Sequence, residues 1–183
     1  MVSDADRARL LAFARQCFEA RVRGGKAPRA PQDGIFRERR GAFVTIHRRD
    51  ERRDELRGCL GRISPSPLGE AIGDLAAAVA DSDPRFPAVR PEEMADISLE
   101  ISVLTPEEEV TDIARIEVGR HGLIVEDGMR RGLLLPQVAS ERHWDRETFL
   151  DQTCVKAGLR PDAWRQGARI WMFQAVVFGE SES

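Results

Sequence analysis

The sequence predicts an α+β protein built on a mixed, largely antiparallel sheet flanked by helices, and three observations lead there. Segments of helical and of strand periodicity both recur along the chain. They mix without the strict alternation of strand and helix that a wholly parallel sheet needs. Two pairs of strand-like segments are joined by short polar turns, as in antiparallel hairpins. The 183 residues, 42% of them apolar, are enough for one domain with a substantial core. Residues 1–183 are accordingly read as a single domain.

Each element has its own warrant. Residues 4–23 carry Leu10, Leu11, Ala14, Cys17 and Phe18 on one stripe, which predicts an amphipathic helix. Gly24 to Asp33, with Pro28 and Pro31, reads as a linker, and the arginine-rich stretch after it extends the expected mobile segment over 24–41. Ala42 to His47 alternates as a strand does, Arg48 to Glu55 is a charged turn, and Leu56 to Leu60 returns as the second strand of a hairpin. Ser66 is placed to cap a helix with Pro67 in its first turn, and that helix carries Leu68, Ile72, Leu75, Ala76 and Val79 and stops before Pro84.

Ile97 to Leu104 is the clearest strand, with Ile97, Leu99, Ile101 and Val103 on one face and Ser98, Glu100 and Ser102 on the other. Pro106 and the glutamates after it end that strand. A second hairpin, 121–126 with 131–135, turns at Asp127-Gly128, and Pro136 breaks its second strand. Asp145 caps a helix reaching Ala157, Trp144 and Phe149 are spaced as a hydrophobic staple, and Gly158 is the stop. Ala168 to Phe178 reads as one long central strand, because both its faces are apolar.

Composition excludes some functions. The formal net charge of -3 argues against nucleic acid and an anionic membrane as partners. Only Lys26 and Lys156 are lysines among 28 basic residues, so positive charge is carried by arginine, whose planar fork suits carboxylates and phosphates. The first residues have no apolar run fit for a signal peptide or membrane span, and a cytoplasmic protein is expected. Cys17, Cys59 and Cys154 are an odd count without metal-type spacing, so reduced thiols are expected and neither a dedicated metal site nor a cofactor is predicted.

The unusual segment is Leu56-Arg57-Gly58-Cys59-Leu60-Gly61. Gly58 and Gly61 weaken a purely structural strand but let a ligand approach the backbone, leaving N–H groups open to an anion. In a regular strand Arg57 and Cys59 share a face, and an arginine beside a thiol favours the reactive thiolate. The competing reading is tight packing around an inert thiol. Glu100 stands on the polar face of its strand, either as a surface carboxylate or, if covered, as one needing a partner. His121, in Gly119-Arg120-His121-Gly122, has the chemistry of a base for a thiol, with Glu100 as the group that orients it. A Cys-His-Glu metal set is a minor alternative. Arg85, held between Pro84 and Pro87, either forms a structural ion pair or points into a cleft.

The hexapeptide at 56–61 resembles the signature of the AMMECR family. The likeness continues in order through Asp83-Pro84-Arg85-Phe86, Leu99 to Leu104, Val118 to Gly122, Leu134 to Ala139, Trp144-Asp145 and Cys154 to Leu159. Leu60 stands where isoleucine is more usual. The resemblance implies a two-part α+β fold, with a small second subdomain and a cleft near the hexapeptide. It puts Arg57, Cys59, Arg85, Glu100 and His121 at motif positions, and it implies as partners a Memo-like protein and a radical S-adenosylmethionine protein.

Two functions stand open. In a cysteine-dependent enzyme, Cys59 attacks, His121 moves protons, Glu100 orients His121, and Arg57, Gly58, Gly61 and Arg85 hold a small anionic ligand or protein group. In a non-catalytic accessory module, the same segment grips a ligand or partner and Cys59 only packs.

Overall fold

The computed structural model describes residues 2–49 and 54–180, which fold as two compact units. Unit 1 comprises residues up to Leu104 together with those from Val176 on, and unit 2 is Thr105–Ala175. Part of the charged turn expected over 48–55, residues 50–53, lies outside the described residues.

Unit 1 begins with α1 (Asp4–Val22). Ser3 caps it by accepting from the Asp6 N–H while the Asp6 carboxylate accepts from the Ser3 N–H, satisfying two otherwise orphaned donors. The stripe Leu10, Phe13, Ala14, Cys17 and Phe18 is buried. Within the expected linker, Gly34–Arg37 makes a 3-10 turn that buries Ile35 and Phe36, and β1 (Arg39–Arg49) has begun before Gly41. After β1 come β2 (Asp54–Pro67), α2 (Leu68–Ala78) and β3 (Ile97–Leu104). With β8 (Ala175–Gly179) the strands form a sheet of order β2-β1-β3-β8.

Alternation along the central strand β1 decides what lies on each face. Ala42, Val44 and Ile46 join Leu99, Ile101 and Val103 in a core covered by α1 and α2, where Phe18, Leu68 and Ile72 are fully buried. Phe43, Thr45 and His47 take the other face with Ser98, Glu100 and Ser102. Ser66 belongs to β2 and does not cap α2. Pro67 holds the cap position, Glu38 O accepts from the Leu68 N–H, and the buried Ser66 hydroxyl has no hydrogen-bond partner among the described residues.

Unit 2 holds the antiparallel sheet β4-β7-β5-β6, made of β4 (Glu108–Glu109), β5 (Gly122–Asp127), β6 (Arg130–Leu134) and β7 (Arg169–Phe173). Two of its elements escaped the sequence reading. β4 is a two-residue strand among the glutamates, and Pro136 opens α3 (Pro136–Glu141), where proline at the first helical position loses no hydrogen bond. The β5–β6 hairpin turns at Gly128 and Met129, with φ of 58° at Gly128. Asp145 caps α4 (Arg146–Lys156) by accepting from the Thr148 N–H, and Gly158, at φ 74°, follows its end. Phe149, Leu150 and Cys154 of α4 pack on Leu123, Val125, Ile170 and Met172.

The strand expected over 168–178 is two strands in two sheets. β7 is central in the sheet of unit 2, β8 is the edge of the sheet of unit 1, and Gln174 stands between them. Its backbone leaves the ladders: its N–H donates to the Thr105 hydroxyl and its carbonyl accepts from the Thr105 N–H. The apolar character of both faces thus comes from two different cores. Among the described residues, no helix is long and apolar enough to cross a membrane.

Candidate functional site

Cys59 stands on β2 opposite Thr45 of β1, and Thr45 stands opposite Glu100 of β3. The three side chains therefore form a row across three strands on the face away from the α1–α2 core. The Thr45 hydroxyl donates to Cys59 Sγ over 3.3 Å. Glu100 is two strand spacings from Cys59, about 10 Å, so Thr45 is the neighbour the thiol touches and Glu100 is not. Glu100 is half-buried, with no ion pair among the described residues.

The backbone of Cys59 faces outward from β1, at the edge of the sheet, and side chains occupy it. Its N–H donates to Asp83 Oδ2 over 2.9 Å, and its carbonyl accepts from Arg85 Nη2 over 3.2 Å. Asp83 and Arg85 are joined by hydrogen bonds of 3.0 and 2.7 Å, and the Arg85 N–H donates to Asp83 Oδ1. Asp83, 4% exposed, is with Thr45 a residue of the site that sequence reasoning missed. Arg85 holds its carboxyl well below the usual carboxylate range, against the effect of burial, and the Cys59 and Arg85 N–H groups add to that. The signal was the Asp-Pro-Arg triplet, since an aspartate that accepts from the N–H two residues on makes its own turn.

Arg57 is placed differently from the expectation of a shared face with Cys59. Ile46 pairs with Gly58 and His47 with Leu56, so Arg57 is the extra residue of a bulge, which breaks the alternation on which that expectation rested. Its side chain is directed to the segment after α2, donating to Pro87 O at 2.8 Å, to Ala88 O at 3.4 Å and to both Glu93 oxygens at 3.3 and 3.4 Å. The glycines have packing reasons. A Cβ on Gly58 would lie 3.1 Å from Ile46 and Val79, and one on Gly61 would lie 2.0 Å from the Phe43 ring. The N–H at Cys59, expected to be open to an anion, is taken by Asp83.

The other candidate, His121, belongs to unit 2 and is 5% exposed. Its Nδ1 accepts from the Glu117 N–H over 3.0 Å, so the neutral ring carries its proton on Nε2, which is 3.5 Å from the Gln174 amide. The nitrogen that would take up a proton is thus engaged by backbone. Burial lowers the His121 pKa below the ordinary value, with Glu117 opposing. A folded-state pKa below the unfolded one means that stability is fully present above pH about 6.5 and is lost as pH falls through the folded value. We expect His121 to titrate below the ordinary imidazole value of about 6.5 when its ring is followed by NMR, and unit 2 to lose denaturant resistance from pH 7 to pH 5. Titration of His121 at or above 6.5 would contradict this account of its burial.

Of the remaining thiols, burial pushes Cys17 up to about 11 and also raises Cys154, whereas Cys59 is half-buried. Among the described residues, no group of three His, Cys, Asp or Glu is disposed to hold a metal ion.

The fold and site define a class: an α+β protein of two units, each with its own antiparallel sheet, carrying a cysteine on a strand whose outer edge is clamped by an aspartate–arginine pair. The chain belongs to the AMMECR1 family, whose model matches residues 11–178. It is 49% identical over 181 residues to a protein of Methanothermobacter thermautotrophicus, covering 93% of this chain and 92% of the relative. A protein of Methanosarcina mazei is 41% identical over 193 residues, covering 100% of this chain and 95% of that one. The crystal structure of the uncharacterized protein PH0010 from Pyrococcus horikoshii is similar with a TM-score of 0.71 and 43% identity, over 94% of this chain and 90% of that one.

Proposed function

We propose that this AMMECR1-family protein is a non-catalytic accessory module, which binds a ligand or partner on the surface around the Cys59 row, with Glu100 and the neighbouring Arg85 making the contacts and the Cys59 thiol only packing. The observation that carries this reading is the occupancy of Cys59: its N–H and carbonyl are held by Asp83 and Arg85. A cysteine nucleophile needs donors aimed at developing negative charge and a base within hydrogen-bond reach. The N–H nearest the thiol is held instead by a carboxylate, and the hydroxyl beside it belongs to Thr45. Glu100 and the half-exposed Arg85 then offer a carboxylate and a guanidinium to complementary groups of a partner. A Memo-like protein and a radical S-adenosylmethionine protein are the partners to test first.

One observation favours a cysteine-dependent enzyme acting on an anionic small molecule or protein group. Cys59 is the half-buried thiol, and the Thr45 hydroxyl is a polar partner in hydrogen-bond contact with its sulfur. Binding of the purified Memo-like protein, followed by calorimetry, separates the readings. Under the module reading Cys59→Ser binds as wild type does and Glu100→Ala binds at least tenfold more weakly. Equal loss in both variants, with Cys59 alkylating faster than an ordinary exposed thiol, would replace the module by the enzyme.

A further inference from the structure

The segment between α2 and β3 crosses the outer edge of β2 without pairing with it. From Asp81 to Glu92 only Asp83 and Val89 are buried. The Val89 N–H donates to Ala80 O, and the Phe86 and Glu93 N–H groups donate within the segment, to Asp83 O and Arg90 O. Its hold on β2 consists of side-chain latches working in both directions. Arg57 of β2 takes the carbonyls of Pro87 and Ala88 and the carboxylate of Glu93. Asp83 and Arg85 of the segment take the N–H and carbonyl of Cys59. Pro84, Pro87 and Pro91 keep the segment stiff, so it has few alternative shapes when released.

An acceptor and a donor presented side by side to one residue of an edge strand are what an added strand presents through its own backbone. Asp83 and Arg85 therefore fill, with side chains, a place that a ligand's carbonyl and N–H are shaped to fill. We propose that residues 81–93 are a displaceable strap, whose release exposes the Cys59 N–H and carbonyl while the sheet of unit 1 stays folded. Few buried apolar contacts and a small set of polar latches place the strap among the parts of a protein that open well below the cost of global unfolding. The inference deepens the binding role proposed for the Cys59 row, since release adds two backbone groups to that surface.

Residue-resolved amide exchange on the full chain tests it without any partner, so its failure and that of the binding reading are distinguishable. In the wild type the Cys59 amide is expected to exchange at least tenfold faster than the Val44 and Thr45 amides of the central strand, with the strap amides exchanging as readily. Arg85→Ala, at a largely exposed side chain, is expected to speed Cys59 exchange a further several-fold and leave Val44 and Thr45 unchanged. Asp83→Asn, which keeps an acceptor but removes the charge, is expected to act in the same direction. Exchange of Cys59 at the rate of Val44 and Thr45 in the wild type would show that the strap opens only with the whole sheet, and would overturn the proposal. So would Arg85→Ala or Asp83→Asn variants in which Cys59 and β1 accelerate together.

Discussion

Replacing Arg57 with alanine is expected to lower the stability of unit 1 by about 3–5 kcal/mol, the range for removing one partner of a buried ion pair. Arg57 is 9% exposed, and its removal strands three groups at once: the Glu93 carboxylate and the carbonyls of Pro87 and Ala88. Glu93 retains Arg90, its neighbour on the solvent side, which moderates the loss without supplying the carbonyls. Arg57→Lys is not expected to rescue the loss, because a single ammonium does not reproduce a planar fork that reaches a carboxylate and two carbonyls together. All three tryptophans, Trp144, Trp164 and Trp171, lie in unit 2, so their fluorescence reports that unit alone. Unit 1 is followed instead by denaturant-dependent alkylation of the buried Cys17. An Arg57→Ala cost below about 1 kcal/mol would mean that the Arg57 contacts contribute no more than exposed ones do.

The corresponding experiment in unit 2 is Gly132→Ala. A Cβ at Gly132 would sit 2.3 Å from Ala157 N, 2.6 Å from Ala157 Cα and 2.7 Å from Lys156 C. These are backbone atoms at the end of α4, so no rotamer change relieves the overlap and β6 must move away from the helix. Overpacking usually costs 1–3 kcal/mol, and where backbone must shift the loss is expected at the top of that range, about 3 kcal/mol or more. Tryptophan fluorescence during urea unfolding reads it directly, and Gly128→Ala separates the overlap from the loss of a glycine as such. Gly128 has open space around its Cβ position, so its cost comes from its positive φ alone. Equal midpoints for the two variants would show that the approach of β6 to α4 tolerates a methyl group.

The two sites differ in how far the sequence announced them. Asp145 and Gly158 encode the start and end of α4 in residues adjacent in the chain, and both are found in the roles expected. The alternation of β3 is likewise local, and its bounds, Ile97–Leu104, coincide with the expectation. Gly132 carried no such signal, because what it makes room for is Ala157, 25 positions along the chain and on another element. Gly61 is similar: its reason is the Phe43 ring across the hairpin. The segment Ala168–Phe178 was misread since hydropathy records that both faces are covered but not by what, and one apolar run serves two sheets.

In the candidate site, chemistry was legible and geometry was not. The residue types, arginine, cysteine and glutamate, could be read from the chain, and so could membership of a family whose model matches residues 11–178. The bulge at Arg57 could not be, because register is decided by pairing between strands rather than by either strand alone. The same holds for Asp83, 24 positions from the N–H it accepts, and for the His121 nitrogen, whose donor is a backbone group of a turn. By itself the sequence determined most of the elements, the start and end of α4, the alternation of β3 and the family, all of which depend on periodicity and on neighbours within a few residues. Tertiary structure alone decided which backbone groups at Cys59 are occupied, where Arg57 points and how one apolar run divides between two sheets. Those outcomes depend on hydrogen bonds and contacts between distant residues, whose partners are chosen only when the chain has folded.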